Sequence, residues 1–361
     1  MRRPTRDLSL DAFRGLTVVL MVIVNVQGSG DDAFALLNHA EWNGLTFADL
    51  VFPWFLFIVG LSAPLALERP GFTPQWGTIL RRAALLFLIG VLLAWLIRPR
   101  FEFHDIRIAG VLQRIAIVYL ACAAVIIWRP GWRTAATLAL AALIVHTALI
   151  LLVPAPGSTL PSLAAGEGIS GWLDEHFLPG RVYRKTWDPE GILSTLPAIS
   201  SGLIGVSVML WIRVRGAVPV EPTLSALALI MAGAGIALSL VIPINKALWT
   251  ASFVLVTAGL GLGFWMGLRL IWARVGESFI GRWLILLGQT ALTLYIIHML
   301  LIAVIVRKLP NGERIWDVSY AVLTSSGLPL PVAALVYALI AAAISTAPLA
   351  AFKRRGWLVK A

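Results

Sequence analysis

Thr46-Phe47-Ala48-Asp49-Leu50-Val51-Phe52-Pro53-Trp54-Phe55-Leu56-Phe57-Ile58-Val59-Gly60-Leu61-Ser62-Ala63-Pro64-Leu65-Ala66-Leu67 decides the fold, because a stretch of this length with Asp49 as its only ionisable side chain is solvated by lipid. At about 1.5 Å per helical residue it crosses a hydrocarbon core of about 30 Å. Comparable apolar runs fall at 8–26, 78–97, 108–128, 132–153, 191–213, 222–242, 248–271, 283–306 and 331–352. Together they predict an all-α bundle of about ten transmembrane helices that forms a single domain over 1–361. Composition agrees: 59% of residues are hydrophobic, 13% are charged, and the mean hydropathy is +0.87, so little polar surface is left for a soluble globule. The lone cysteine, Cys122, sits within the fourth run, which excludes an internal disulfide framework and reads as a small packing residue.

Arg69-Pro70-Gly71, Arg98-Pro99-Arg100, Arg129-Pro130-Gly131 and Lys353-Arg354-Arg355 end runs with helix-breaking and headgroup-anchoring residues. The formal charge of +11 is explained by topology rather than by nucleic acid. An even number of spans puts both termini on one side. The larger share of Lys and Arg falls on that side, including Arg2, Arg3, Arg6, Arg81, Arg82 and Arg354, and the termini are therefore predicted to be cytoplasmic. Arg98, Arg100 and Arg107 crowd an outside loop against this bias. The first run follows Met1-Arg2-Arg3 but is too long for a signal peptide and has no small-residue cleavage site after it, so it is expected to be retained. Two outside segments, 27–45 and 154–190, are longer than a simple turn needs, which marks them for function or disorder.

Ionisable and amide side chains within a bilayer persist when they pair or serve a site. Asn25, Asp49, Gln113, Arg114 and His298 all fall in the outer half of their spans, with Tyr295 one turn from His298. Asn245-Lys246 follow the seventh run on the same side, and Asp188-Pro189-Glu190 introduce the sixth. Each has a plainer reading: Asp49 and Arg114 as a structural ion pair, His298 and Gln289 as interhelical hydrogen-bond partners, Asp188-Pro189-Glu190 as a helix start. His39 lies in the segment Leu37-Asn38-His39-Ala40-Glu41-Trp42-Asn43-Gly44, held to the interface by Trp42 and Phe52-Pro53-Trp54-Phe55. Such a histidine is suited to act as a general base, with Glu41 or Asp49 orienting its ring. His104 and His176 read as solvated, and no spacing supports a metal site.

Leu8-Ser9-Leu10-Asp11-Ala12-Phe13-Arg14-Gly15-Leu16-Thr17, Asn25, and the stretch from His39 to Phe55 resemble the heparan-alpha-glucosaminide N-acetyltransferase family. So do Gly110-Val111-Leu112-Gln113-Arg114, Trp187-Asp188-Pro189-Glu190-Gly191, Pro243-Ile244-Asn245-Lys246-Ala247-Leu248-Trp249 and Tyr295-Ile296-Ile297-His298, in family order across most of the chain. A more distant similarity to the acyltransferase-3 superfamily rests on the Arg14 to Asn25 spacing, with asparagine where that superfamily has histidine. Relative to the lysosomal enzyme, the chain is expected to lack a long N-terminal lumenal region and one span.

The resemblance implies a multi-pass protein of the bacterial inner membrane. It would move an acetyl group from cytoplasmic acetyl-CoA to an amino sugar, glucosamine or a related glycan, on the periplasmic side. His39 matches the catalytic histidine of the family and Asn25 its active-site asparagine, suited to stabilise the developing oxyanion. Asp49, Arg114, Asp188, Glu190, Asn245, Lys246 and His298 are the expected substrate-binding residues. Arg14, Arg81, Arg82, Arg274 and Arg282 are the expected binders of the CoA nucleotide. A homodimer is implied by the relatives, and no metal. Direct transfer and an acetyl-histidine route both remain open. The alternative function is an inner-membrane transporter of amino sugars such as N-acetylglucosamine.

Overall fold

The computed structural model describes residues 7–68, 73–99, 102–128, 130–216 and 218–359. Arg2, Arg3, Arg6, the Arg69-Pro70-Gly71 turn, Arg100 and Arg129 lie outside these. The helices in chain order are α1 (Leu8–Asn25), α2 (Phe47–Leu67), α3 (Trp76–Ile97), α4 (Val111–Trp128), α5 (Trp132–Leu152), α6 (Ile169–Phe177) and α7 (Ile192–Arg215). Then come α8 (Glu221–Leu238), α9 (Ala251–Val275), α10 (Phe279–Gln289), α11 (Ala291–Ile305), α12 (Ile315–Thr324), α13 (Leu330–Thr346) and α14 (Leu349–Arg355). The fold is all-α. Among the described residues nine helices are long and apolar enough to cross a membrane, the last being Leu330–Arg355, formed by α13 and α14.

The expected ninth span, 283–306, is not one straight helix. It divides into α10 and α11, which meet at an angle of 81°. The break falls at Gln289-Thr290, where Gln289 carries a polar side chain with partners elsewhere. Gln289 donates to Asp11 Oδ2 at 3.5 Å and accepts from Lys353 Nζ at 2.5 Å. Thr290 Oγ1 donates back to Leu286 O. The Gln289 amide, which a straight apolar rod would leave without these partners, is thereby satisfied at a corner.

Close glycine contacts set how the helices cross, as expected where lipid gives helices no hydrophobic reason to associate. A Cβ added at Gly60 would stand 1.8 Å from Gly202 O, and one at Gly205 would stand 2.3 Å from Phe57 O, so α2 and α7 pack backbone to backbone. A Cβ at Gly15 would stand 1.9 Å from Leu284 O, and one at Gly288 1.8 Å from Asp11 O, which seats α10 across the start of α1. Buried indoles tie α9 and the turn before it to the other helices: Trp54 of α2 donates to Thr257 O, Trp249 to Ser201 Oγ of α7 and Trp265 to Ser9 Oγ of α1.

Both long connecting segments are structured. A short 3₁₀ turn, Ala35–Leu37, lies within 27–45, and α6 lies within 154–190. They cover one end of the bundle, where α1 finishes and α2, α4 and α7 begin.

Candidate active site

Asp49 is the third residue of α2, and Thr46 caps that helix. The backbone N–H and the hydroxyl of Thr46 donate to Asp49 Oδ2 at 3.1 and 3.0 Å, and Ala40 N–H donates to the same oxygen at 3.1 Å. A helix cap thus fixes the carboxylate and turns its other oxygen towards the loop. His39 Nδ1 lies 2.8 Å from Asp49 Oδ1. An ionised carboxylate only accepts, so Nδ1 carries the proton and Nε2 presents a lone pair. Asp49 is buried at 1% side-chain exposure while His39 is open at 49%. The result is an oriented imidazole facing out of the protein, backed by a buried anion.

Lys246 completes this group from far along the chain. Its Nζ donates to Asp49 Oδ1 at 3.2 Å and lies 3.0 Å from His39 Nδ1 and 3.5 Å from Nε2, flanking the ring between its two nitrogens. The connection after α8 holds it there. Asn245, fully buried, donates to Trp42 O and Asn43 Oδ1 at 3.0 Å each and accepts from Leu248 N–H at 2.8 Å, while Gly44 N–H donates to Ile244 O at 2.8 Å. Trp249 adopts φ 55, a left-handed conformation, in the same turn and seats its ring edge-on to Phe52 at 5.3 Å. Burial draws the Lys246 ammonium below the usual lysine range, against the opposing pull of Asp49.

A second cluster lies alongside. Arg107 donates to Asp188 through Nε at 2.9 Å and Nη2 at 2.6 Å, and through Nη2 to Glu190 at 2.5 Å. Its ring-facing side covers Tyr183 at 4.6 Å. Despite burial, Glu190 and Asp188 hold the Arg107 guanidinium above its ordinary value; burial opposes Asp188 too, yet Arg107 holds that carboxyl below its own. Asp174 in α6 accepts from Asp188 N–H at 3.1 Å and from Ile192 N–H at 2.8 Å, and burial pushes its carboxyl up to about 6. Trp42 ties both clusters together: its Nε1 donates to Leu163 O at 2.9 Å and its ring meets Trp187 edge-on at 4.9 Å.

Asp49 and Arg114 do not form the ion pair that served as the plain reading. Arg114 is fully buried, donates through Nη2 to Gly191 O at 3.1 Å and Ser194 Oγ at 2.6 Å, and lies over the Trp249 ring at 5.1 Å. Asn25 is exposed at the end of α1, with Nδ2 3.4 Å from Nε2 of the fully buried His298. Asn25 and His39 thus have separate partners at the same end of the bundle.

The expected nucleotide-binding arginines stand at the opposite end. Arg14 donates to Asp11 at 3.1 Å and to Ser62 Oγ at 2.5 Å, next to the α10–α11 corner. Arg81, Arg82, Arg274 and Arg282 are exposed, and Arg82 covers the Tyr119 ring at 4.9 Å. Among the described residues no hydrogen bond or ion pair links these four to one another.

Sequence reasoning missed Arg107, Asp174 and Ser194 as members of the site region. Arg107 had a signal, since it stood on the wrong side of the charge bias. The Thr46-x-x-Asp49 spacing was likewise a legible capping pattern.

A family profile described as heparan-alpha-glucosaminide N-acetyltransferase, catalytic, matches residues 6–160, which include Asn25, His39, Asp49 and Arg114. The chain is 30% identical over 312 residues to heparan-alpha-glucosaminide N-acetyltransferase of Mus musculus, covering 68% of this chain and 46% of the mouse protein. It is 30% identical over 319 residues to the Homo sapiens protein of the same name, covering 70% of this chain and 46% of the human one. The chain therefore spans about half the length of the curated relatives it matches. On the profile match, the two relatives and the polytopic helical fold together, it belongs to the heparan-alpha-glucosaminide N-acetyltransferase family.

Proposed function

We propose that the protein is a transmembrane N-acetyltransferase. In this reading acetyl-CoA from the cytoplasm donates to the amine of glucosamine or a related amino sugar at the periplasmic face of a bacterial inner membrane. The observation that carries it is the His39–Asp49 pair: Nδ1 is bonded to a buried carboxylate, Nε2 faces, among the described residues, only the Lys246 amine at 3.5 Å, and the ring is half-exposed.

Nε2 removes a proton from the acceptor amine as nitrogen attacks the thioester carbon, and Asp49 stabilises the imidazolium that results. Collapse of the tetrahedral adduct expels the CoA thiolate, which takes the proton back. Asn25 donates from its amide to the oxyanion. Glu190 and Lys246 border the acceptor, and Arg107 holds Asp188 and Glu190 in place for it. Arg14, Arg81, Arg82, Arg274 and Arg282 at the other end meet the nucleotide phosphates, with the pantetheine arm running between helices. An attack by Nε2 itself would give an acetyl-histidine first. The active unit is a homodimer.

Purified protein given acetyl-CoA and glucosamine is expected to release CoA and form N-acetylglucosamine. His39→Ala should lower that rate by about 10²- to 10⁴-fold, the range for loss of a general base, with thermal stability unchanged. Equal rates in the two proteins would end the proposal. The α10–α11 break favours a second reading, since broken helices are a recurring device of transporters. Uptake of labelled N-acetylglucosamine into proteoliposomes without an acyl donor would support it.

A further inference from the structure

The Lys246 amine stands beside the imidazole that an acceptor amine has to reach. A transfer site of this kind needs a primary amine within hydrogen-bond distance of the base, with the thioester carbon on its far side. Lys246 Nζ already meets the first condition, at 3.5 Å from His39 Nε2, the nitrogen with the free lone pair. The loop clamp at Asn245 keeps it there, and 21% of its side chain remains open to the site. Burial favours its neutral, nucleophilic form, and the Asp49 contact works against that.

We infer that Lys246 is a self-acetylation site: when acetyl-CoA is bound and no acceptor amine is present, the enzyme transfers the acetyl group to its own Lys246. This rests on the acetyltransferase reading above. The Nζ lone pair attacks the acetyl carbonyl and a C–N bond forms. The Nζ proton passes to His39 Nε2, the C–S bond breaks, and the thiolate leaves as CoA on taking that proton. The product is an amide, which is more stable than the thioester it came from, so the equilibrium lies towards the acetylated lysine. Acetylation also removes the positive charge facing Asp49 and leaves an acyl chain beside the base. Occupancy of the acceptor site therefore protects the enzyme, and donor alone inactivates it.

The chain has few lysines, and the other described ones, Lys185, Lys308 and Lys353, are exposed and remote from His39 in the hydrogen-bond network. The test incubates the purified full-length protein with isotopically labelled acetyl-CoA, with and without glucosamine, and maps label on every lysine by mass spectrometry. Lys246 is expected to acquire label about tenfold or more above the exposed lysines, in proportion to general-base assistance. Glucosamine should suppress this label, and His39→Ala should abolish it while leaving the exposed lysines unchanged. Label that follows exposure, with Lys185 ahead of Lys246, overturns the inference, as does label on Lys246 that is equal in His39→Ala. Formation of N-acetylglucosamine with Lys246 unlabelled retires this inference alone. If neither product nor labelled Lys246 appears, the acetyltransferase reading falls with it.

Discussion

Two charged clusters share one end of the bundle, and they differ in what they leave open. Around Arg107 the guanidinium spends its donors on Asp188 and Glu190, the Asp188 carboxylate is fully buried, and backbone N–H groups of Tyr183 and Glu190 take its remaining capacity. Around Asp49 the inner oxygen is saturated in the same way, but the outer one holds the Lys246 amine and an imidazole that faces solvent, with Nε2 met, among the described residues, only by that amine at 3.5 Å. The first arrangement holds segment 154–190 to the start of α7. The second holds a reactive group ready. Charge density alone does not separate structure from chemistry here; the half-exposed ring, with the Nε2 lone pair directed away from the buried carboxylate, does.

That contrast can be broken most directly at Arg107. Arg107→Ala leaves two carboxylates without their cation, and loss of one partner of a buried pair costs about 3–5 kcal/mol. The expected outcome is a sharply lowered Tm and loss of monodisperse protein in detergent. Arg107→Lys should recover part of it, since lysine restores charge without the bidentate geometry. A wild-type Tm for Arg107→Ala would show that the cluster is not structural.

Asp49→Asn tests the other side. An amide in this place keeps the shape of the cap, yet supplies no charge to an imidazolium and leaves Lys246 without its counter-ion. Transfer activity should fall by about 10²-fold or more while Tm drops by much less than in Arg107→Ala. Activity that survives this change would mean His39 needs no buried anion behind it.

The smallest effect concerns Asp174. Its folded pKa of about 6 stands above the ordinary 3.8, so between those values the folded protein holds a proton that the unfolded chain has released. Stability from this group is therefore gained as pH falls through about 6 and is lost as pH rises through it. Asp174→Asn cannot titrate and should flatten that part of a Tm-against-pH curve by roughly a few degrees. A curve parallel to wild type across that window would place the titration elsewhere.

Most of the spans were legible because lipid imposes length and apolarity on each one separately. The run at 46–67 became Phe47–Leu67, and 132–153 became Trp132–Leu152. The run at 283–306 misled, because apolarity reports what a segment is solvated by and not whether it is straight. Gln289 was visible, but its partners Asp11 and Lys353 are 278 and 64 residues away. Arg107 misled for the same kind of reason. Its place in an outside loop looked like an imperfection of the charge bias until Asp188 and Glu190 were brought onto it.

The sequence by itself determined that this chain lies in a membrane, roughly where most of its spans run, and which polar residues have to be satisfied at one end. Each of those follows from local hydropathy, capping and burial cost, which act over tens of residues at most. Only the tertiary structure decided that Lys246 stands against His39 and Asp49, and that Arg114 pairs with neither. Such contacts join segments about two hundred residues apart through the packing of glycine-lined helices, and no local preference encodes which distant loop will arrive.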